Sequence, residues 1–176
     1  MSPRLPAMRI HPGLTAATGA LKGGAMAVGN FDGVHLGHQA LFAAVRRNAQ
    51  GPASALTFEP HPARLLAPRF APPLICEKPR KLELIAGCGI SDLVEQPFDA
   101  AFAATPPISF VEMIVGTGVA EVVVGHDFTY GKARAGTVET LRVSLAEQRL
   151  PNHLRSVTSE FCGNDPLSFL APFCIA

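Results

Sequence analysis

The chain has 176 residues, of which 48% are hydrophobic and 16% are charged, and its formal net charge is +1. This composition is typical of one globular domain with a sizeable core and excludes a disordered chain. A net charge so close to zero provides no broad positive field for nucleic acid or an anionic membrane surface, and no apolar run has the length of a membrane span. We therefore expect neither a nucleic-acid nor a membrane partner, and the sequence leaves the oligomeric state open.

Apolar runs that end at turn residues alternate with helical patterns along the chain. The predicted strands cover residues 25–29, 54–58, 92–95 and 121–125, and the predicted helices cover residues 37–50 and 79–86 and two segments that begin near residues 109 and 138. A proline-rich loop is predicted over residues 59–73. This alternation is typical of βαβ units, so we predict an α/β fold with a parallel sheet and helices on both faces. Because ligands bind at the carboxyl ends of such strands, we expect a site at the turns after the first, second and fourth strands.

The two later helices are predicted from side-chain patterns. Ser109 and Glu112 have the spacing of a capping box, which marks a helix start. Val138, Leu141 and Leu145 recur on one face of a helix, as expected for a helix that packs on a core.

The cysteines and the N-terminus indicate the compartment. No two cysteines have the C-x-x-C spacing of a zinc ribbon or a redox site. Residues 1–10 lack the apolar stretch of a signal peptide. We therefore expect a cytoplasmic protein in which the four thiols are reduced: Cys76, Cys88, Cys162 and Cys174.

The segment GNFDGVHLGH, residues 29–38, joins a buried strand to a helix through a glycine-rich turn. Its two histidines, His35 and His38, are three residues apart, so both imidazoles can face one side of the helix start, and Gly37 lets a ligand approach the backbone closely. The unpaired N–H groups and positive dipole end of a helix N-terminus bind phosphate, and imidazoles can stabilise charge on a leaving pyrophosphate. An ordinary βα turn and a metal site on the two histidines are the alternatives, although no third metal ligand is evident from spacing.

The segment TFEPHP, residues 57–62, directly follows the second strand. Its two prolines stiffen the turn and remove backbone donors, so the segment can form a rigid apolar edge beside a flat aromatic ligand. The alternative is a purely structural loop.

The segment GHDFTYGKARAG, residues 125–136, follows the last predicted strand. It combines an acid, two aromatic rings and two cations in a glycine-rich stretch: Asp127, Phe128, Tyr130, Lys132 and Arg134. This mixture suits recognition of a heteroaromatic ring together with phosphate, and it equally suits a solvated surface turn.

Together the three segments resemble the adenylyltransferase domain of bacterial bifunctional FAD synthetases, in the same order and at similar separations, from about residue 26 to about residue 150. The resemblance implies a Rossmann-like nucleotidyltransferase fold, ATP and FMN as substrates, FAD and pyrophosphate as products, and Mg²⁺. It implies in-line attack of the FMN phosphate on the α-phosphorus of ATP, without a covalent intermediate.

By position, the resemblance also implies roles for individual residues. His35 and His38 are the expected catalytic residues. The expected ATP-binding residues are Gly29, Asn30, Phe31, Asp32, Gly33, His35, Gly37 and His38. The expected flavin-binding residues are Pro60, Pro62, Leu66, Asp127 and Phe128, with Lys132 and Arg134 as candidates for phosphate. No residue is assigned to a metal.

The end of the chain departs from the family pattern. The family carries a Ser-Ser-Thr-x-Ile-Arg-like motif that helps hold ATP phosphates, whereas residues 166–176 read PLSFLAPFCIA, in which no arginine follows Ser168. We therefore expect an adenylyltransferase-like domain over residues 1–157, an aberrant or truncated tail over residues 158–176, no riboflavin kinase domain, and impaired activity. An inactive flavin- or nucleotide-binding remnant and an adenylyltransferase for another acceptor are the alternatives.

Overall fold

A computed structural model describes residues 7–48, 50–148 and 154–157 of the chain. The strands are β1 (Arg9–His11), β2 (Ala25–Val28), β3 (Ala53–Glu59), β4 (Asp92–Pro97), β5 (Glu121–Gly125), β6 (Thr129–Tyr130), β7 (Gly136–Thr137) and β8 (Leu154–Val157). The helices are α1 (Leu36–Asn48), α2 (Pro62–Leu66), α3 (Lys78–Gly87), α4 (Ala100–Ala103), α5 (Pro107–Gly116) and α6 (Val138–Glu147). The expected tail, residues 158–176, lies outside the described residues and stays a prediction.

Six strands form one sheet in the order β1-β4-β3-β2-β5-β8, and every neighbouring pair is parallel. The two short strands β6 and β7 pair antiparallel as a separate ribbon. From β2 the chain first moves outward through β3 and β4, and then returns to the other side of β2 with β5. This reversal creates a crevice at the carboxyl ends of β2 and β5, which is where open α/β sheets bind ligands.

Side chains of the central strand alternate between two buried layers. Ala25 and Ala27 of β2 lie in one layer, Met26 and Val28 lie in the other, and all four are at most 1% exposed. The buried helix residues are Leu41, Phe42, Ala44, Val45 and Ile85 in the first layer, and Phe110, Val111, Ile114, Leu141 and Leu145 in the second. The predicted parallel sheet with helices on both faces is therefore confirmed. None of the helices in the described part of the chain combines the length and the apolar character needed to cross a bilayer.

The predicted loop over residues 59–73 contains the short helix α2. Its N-cap is His61, whose Nδ1 accepts a hydrogen bond from the N–H of Ala63 at 3.2 Å, and Pro62 occupies the first turn. The prediction of a continuous loop is wrong here because proline breaks a helix in its interior but favours its first position, where the missing N–H has no intrahelical partner.

The predicted capping box at Ser109 and Glu112 is also wrong. Helix α5 begins at Pro107, so both residues lie inside it. A capping box is instead found at α6, where the N–H of Thr140 donates to Thr137 Oγ1 and the N–H of Thr137 donates to Thr140 Oγ1. Threonine stands there in place of the Glu or Gln of the usual pattern.

A buried carboxylate joins the edge strand β1 to β4 at the amino end of the sheet. Asp92 is fully buried; its Oδ1 lies 2.9 Å from Nε of Arg9 and 2.9 Å from Nε2 of His11, and its Oδ2 accepts the Ser91 hydroxyl at 2.8 Å. Burial acts to raise the pKa of Asp92, but hydrogen bonds from His11, Arg9 and Ser91 and the charge of Arg9 outweigh it, and the pKa lies below its ordinary value. The ionised form of Asp92 therefore stabilises the folded state.

We expect Asp92→Asn to lower the free energy of unfolding by about 1–3 kcal/mol, because a buried charge-assisted acceptor is lost. Unfolded aspartate binds a proton near pH 3.9 and folded Asp92 binds it at lower pH, so the wild type loses this contribution as pH falls below about 4. Urea unfolding at pH 7 and pH 3 should show a smaller difference in the free energy of unfolding between wild type and Asp92→Asn at pH 3. Glu83→Gln, on the exposed side of α3, is the control, and an equal gap at both pH values would contradict the assignment.

Candidate active site at the carboxyl edge of the sheet

A cavity of about 600 Å³ lies at the carboxyl edge of the sheet, next to the crevice between β2 and β5. This volume falls in the range of about 300–1,000 Å³ that is usual for small-molecule sites. Six aromatic side chains line the cavity: Phe58, Phe98, Phe102, Phe110, Phe128 and Tyr130. Neighbouring rings in this group have centroids 5.4–6.2 Å apart, and Phe128 and Tyr130 are stacked with an interplanar angle of 14°. The cavity is therefore suited to a flat aromatic ligand.

The start of α1, in the segment after β2, brings the two predicted histidines together. The rings of His35 and His38 are stacked, with centroids 3.6 Å apart and an interplanar angle of 24°. A side-chain carbon at Gly37 would lie 3.2 Å from His35 Cε1, so glycine leaves room for the stacked ring. Phe31 is fully buried and meets His38 edge-on at 5.2 Å, so its ring supports the histidine from behind.

His38 is a neutral imidazole at neutral pH. Burial and the neighbouring His35 lower the pKa of His38 to about 4, and Asp32 opposes them in part. Its Nδ1 is buried without a hydrogen-bond partner among the described residues. A neutral imidazole can donate one hydrogen bond to a phosphate oxygen.

We expect the lowered pKa of His38 to make stability depend on pH. The unfolded histidine binds a proton near pH 6.5 and the folded one near pH 4, so the wild type loses stability as pH falls through this interval. Urea unfolding of wild type and His38→Ala at pH 7.5 and pH 4.5 measures this, because the histidines away from the His35–His38 pair contribute equally to both proteins. The wild type should lose stability relative to the variant at pH 4.5, and a constant difference would contradict the assignment.

Asp32 and Gly33 hold a loop over the histidine segment. Asp32 accepts hydrogen bonds from the N–H groups of Ile75 and Cys76, at 2.9 Å and 3.2 Å. Gly33 has φ +70°, and a side-chain carbon there would lie 2.7 Å from Ile75 Cγ2. The structure thus places both oxygens of Asp32 on the backbone of this loop.

Backbone strain in the described residues gathers at this edge of the sheet. Four non-glycine residues have positive φ: Phe31, Val34, Ala133 and Arg134. The first two follow β2 and the last two lie in the segment after β5. Left-handed backbone at non-glycine residues costs energy and concentrates at functional sites, so its position supports a site here.

The structure brings together two of the expected ATP-binding residues, Gly29 and Asn30, and part of the expected flavin and phosphate set. Gly29, Asn30, Pro62, Leu66, Phe128 and Arg134 line the aromatic cavity. Pro60, Asp127 and Lys132 lie outside its lining, and the last two are exposed. Arg134 is fixed by a hydrogen bond of 2.9 Å from its Nε to Thr129 Oγ1. Of the two phosphate candidates, Arg134 is therefore the one at the cavity.

The sequence analysis missed much of the cavity wall, including His61, Phe98 and Phe102. Burial lowers the pKa of His61, and Lys81 and Arg64 act in the same direction against the carboxylates of Asp32 and Glu59. Phe98 and Phe102 are four residues apart directly after β4, which is a spacing that places two rings on one side of a helical turn. That spacing is a signal that could have been found.

The chain is similar to known proteins over most of its length. Residues 18–159 match the family model described as FAD synthetase. The chain is 37% identical over 121 residues to the bifunctional riboflavin kinase/FMN adenylyltransferase of Bacillus subtilis (strain 168) and 34% identical over 120 residues to that of Escherichia coli (strain K12). These matches cover 66% and 65% of this chain but 38% of each relative. The FAD synthetase of Listeria monocytogenes serovar 1/2a is 31% identical over 121 residues, covering 66% of this chain and 49% of that protein.

Two solved structures share the fold. A Streptococcus pneumoniae protein described as a macrolide-efflux protein has a TM-score of 0.69 at 21% identity, covering 87% of this chain and 51% of that one. Pantothenate synthetase from Thermus thermophilus has a TM-score of 0.53 at 14% identity, covering 86% of this chain and 62% of that one. At these identities the likeness shows the fold alone, and that fold is the expected Rossmann-like nucleotidyltransferase fold. The match over residues 18–159 shows that the chain belongs to the FAD synthetase family.

Proposed function

We propose that this chain is an FMN adenylyltransferase, which transfers AMP from ATP to FMN and yields FAD and pyrophosphate. The observation that carries the proposal is the stacked His35–His38 pair at the start of α1, in the same segment as two residues of the cavity lining. Gly29 and Asn30 line the cavity and lead directly into the histidine segment. A flat ring in the cavity can therefore extend a phosphate tail toward the histidines. The names of the matched relatives support the same substrates.

The reaction needs charge stabilisation and positioning, and the site offers both. An oxygen of the FMN phosphate forms a bond to the α-phosphorus of ATP while the bond from that phosphorus to the bridging oxygen breaks, and pyrophosphate leaves with the electron pair. The first N–H groups of α1 have no intrahelical partners and are available to hydrogen-bond the phosphates. His35, His38 and these N–H groups stabilise the developing negative charge.

Mg²⁺ enters the proposed reaction bound to the phosphates of ATP. Among the described residues, no three His, Cys, Asp or Glu side chains are grouped so that they could hold a metal ion. Mg²⁺ commonly binds through substrate phosphates and keeps several waters, so it would arrive with ATP. We assign no protein ligand to it.

We also propose the cytoplasmic location and the reduced thiols that the sequence predicts, which agree with ATP and FMN as substrates.

The deciding experiment follows FAD formation from FMN and ATP by chromatography, together with release of pyrophosphate. Riboflavin is tested as an alternative acceptor, and flavin binding is measured by fluorescence quenching. We expect FMN to be converted and riboflavin not, because adenylyl transfer needs a phosphate nucleophile. Flavin binding without FAD formation would favour a non-catalytic flavin-binding role, and transfer to a non-flavin acceptor would contradict the assigned substrate.

A further inference from the structure

Lys81 is a buried cation in the first half of α3. Its side chain is 10% exposed, and its Nζ lies 3.4 Å from Thr57 Oγ1 and 3.6 Å from Glu59 Oε2. Charge-assisted N–H···O bonds are usually about 2.7–2.9 Å long, and an ammonium group has three donors. Within the described residues these two contacts therefore leave the hydrogen-bonding capacity of Nζ incompletely used. Buried charges normally find close acceptors, so this ammonium group is suited to a further anionic partner.

The ammonium group faces a narrow polar crevice of about 30 Å³. Lys81 lines this crevice with Asn30 and His61, and these two residues also line the aromatic cavity. A cavity needs about 10–15 Å³ to hold one water molecule, so about 30 Å³ is room for only one or two small atoms. The crevice can therefore admit one oxygen of a ligand whose body lies in the aromatic cavity, but it cannot admit a ring.

The other charged groups of the crevice already have partners. Lys78 Nζ lies 2.6 Å from Glu95 Oε1, and the two oxygens of Asp32 accept backbone N–H groups. The side chain of Glu59 is 33% exposed, so its carboxylate can turn to water when another anion approaches Lys81. The side chain of Lys78 is 46% exposed, so water can satisfy its remaining donors, whereas Lys81 is the buried lining cation with donors left for a ligand.

We propose that Lys81 recognises the 5′-phosphate of the flavin acceptor and thereby favours FMN over riboflavin. The inference rests on the proposed function, because it assumes a flavin ring in the aromatic cavity. A phosphate oxygen that does not attack ATP enters the crevice and accepts a hydrogen bond from Nζ of Lys81. The phosphate group is then held between the aromatic cavity and the histidines of α1.

The test compares the affinities of FMN and riboflavin, measured by flavin fluorescence quenching, in wild type, Lys81→Met and Arg80→Met. Arg80→Met is the matched control, because Arg80 also carries one positive charge on α3 but pairs with Glu83 on the exposed side. We expect wild type to bind FMN more tightly than riboflavin. Lys81→Met should weaken FMN binding roughly 10- to 100-fold and leave riboflavin binding unchanged, whereas Arg80→Met should change neither.

The possible failures are distinguishable. Equal weakening of both flavins by Lys81→Met, or unchanged FMN affinity, would overturn the role of Lys81 and leave the proposed function standing. A wild type that binds both flavins equally would also overturn it, and this measurement needs no variant. If Lys81→Met does not fold, Lys81→Gln removes the same charge and keeps a polar group near Thr57. A wild type that binds neither flavin would overturn the proposed function and this role with it.

Discussion

His38→Ala should lower the rate of FAD formation from FMN and ATP by about 10²–10³-fold, because one preorganised donor to the developing phosphate charge is lost. Phe31 supports the ring of His38 from the core, and His35 stacks on it, so the imidazole is held before substrate arrives. Donors that need no reorganisation contribute most when charge develops in the transition state. FMN affinity should change little, because His38 lies outside the lining of the aromatic cavity.

The control for this variant is His11→Ala. His11 is also a largely buried histidine, with a side chain 17% exposed, but it lies on β1 at the amino end of the sheet. Rates at saturating FMN and ATP, with FMN affinity measured in parallel, separate an effect on chemistry from an effect on folding. Unchanged turnover in His38→Ala, or an equal loss in His11→Ala, would remove His38 from the mechanism.

The centre of the fold could be predicted because its signals are local. Strand β5 contains three consecutive valines, Val122, Val123 and Val124, and the structure places its ends at the predicted residues. The edge strand β1 has three residues and the helix α4 has four, and neither was predicted. Elements this short carry too little periodicity to be recognised in the sequence, and β1 is held by a distant contact. In β1 that contact is the buried carboxylate of Asp92, 83 residues away from Arg9.

The candidate site likewise has one part that could be predicted from the sequence and one that could not. The histidine segment could be predicted because its strand end, glycine turn and helix start are contiguous. Parts of the aromatic wall could be recognised in the sequence, but its assembly could not, because Phe58, Phe98, Phe110 and Tyr130 come from separate segments that meet only when the sheet forms. Lys81 reads in sequence as an ordinary helix residue, and only the packing of α3 against β3 turns it toward Thr57 and Glu59.

Ala103→Trp should weaken FMN and riboflavin binding roughly 10- to 100-fold, because overfilling a packed space costs about 1–3 kcal/mol. Ala103 is the last residue of α4 and lines the aromatic cavity beside Phe102. An indole there occupies volume that the flavin ring needs. Both flavins should lose affinity to a similar degree, since the ring they share is displaced. Weaker binding of both flavins therefore distinguishes this variant from a variant at Lys81, in which only the affinity for FMN should fall.

Ala101→Trp is the matched control, because Ala101 lies on the same four-residue helix but is exposed and outside the cavity lining. The two variants introduce tryptophan at positions two residues apart, so any general effect of tryptophan on the folding of α4 appears in both. Fluorescence quenching by FMN and riboflavin, with ATP affinity measured in parallel, gives the readout. ATP affinity should stay unchanged in Ala103→Trp, because its phosphates are expected at the start of α1. Normal flavin affinity in Ala103→Trp, or equal losses in the two variants, would place the flavin ring outside the aromatic cavity.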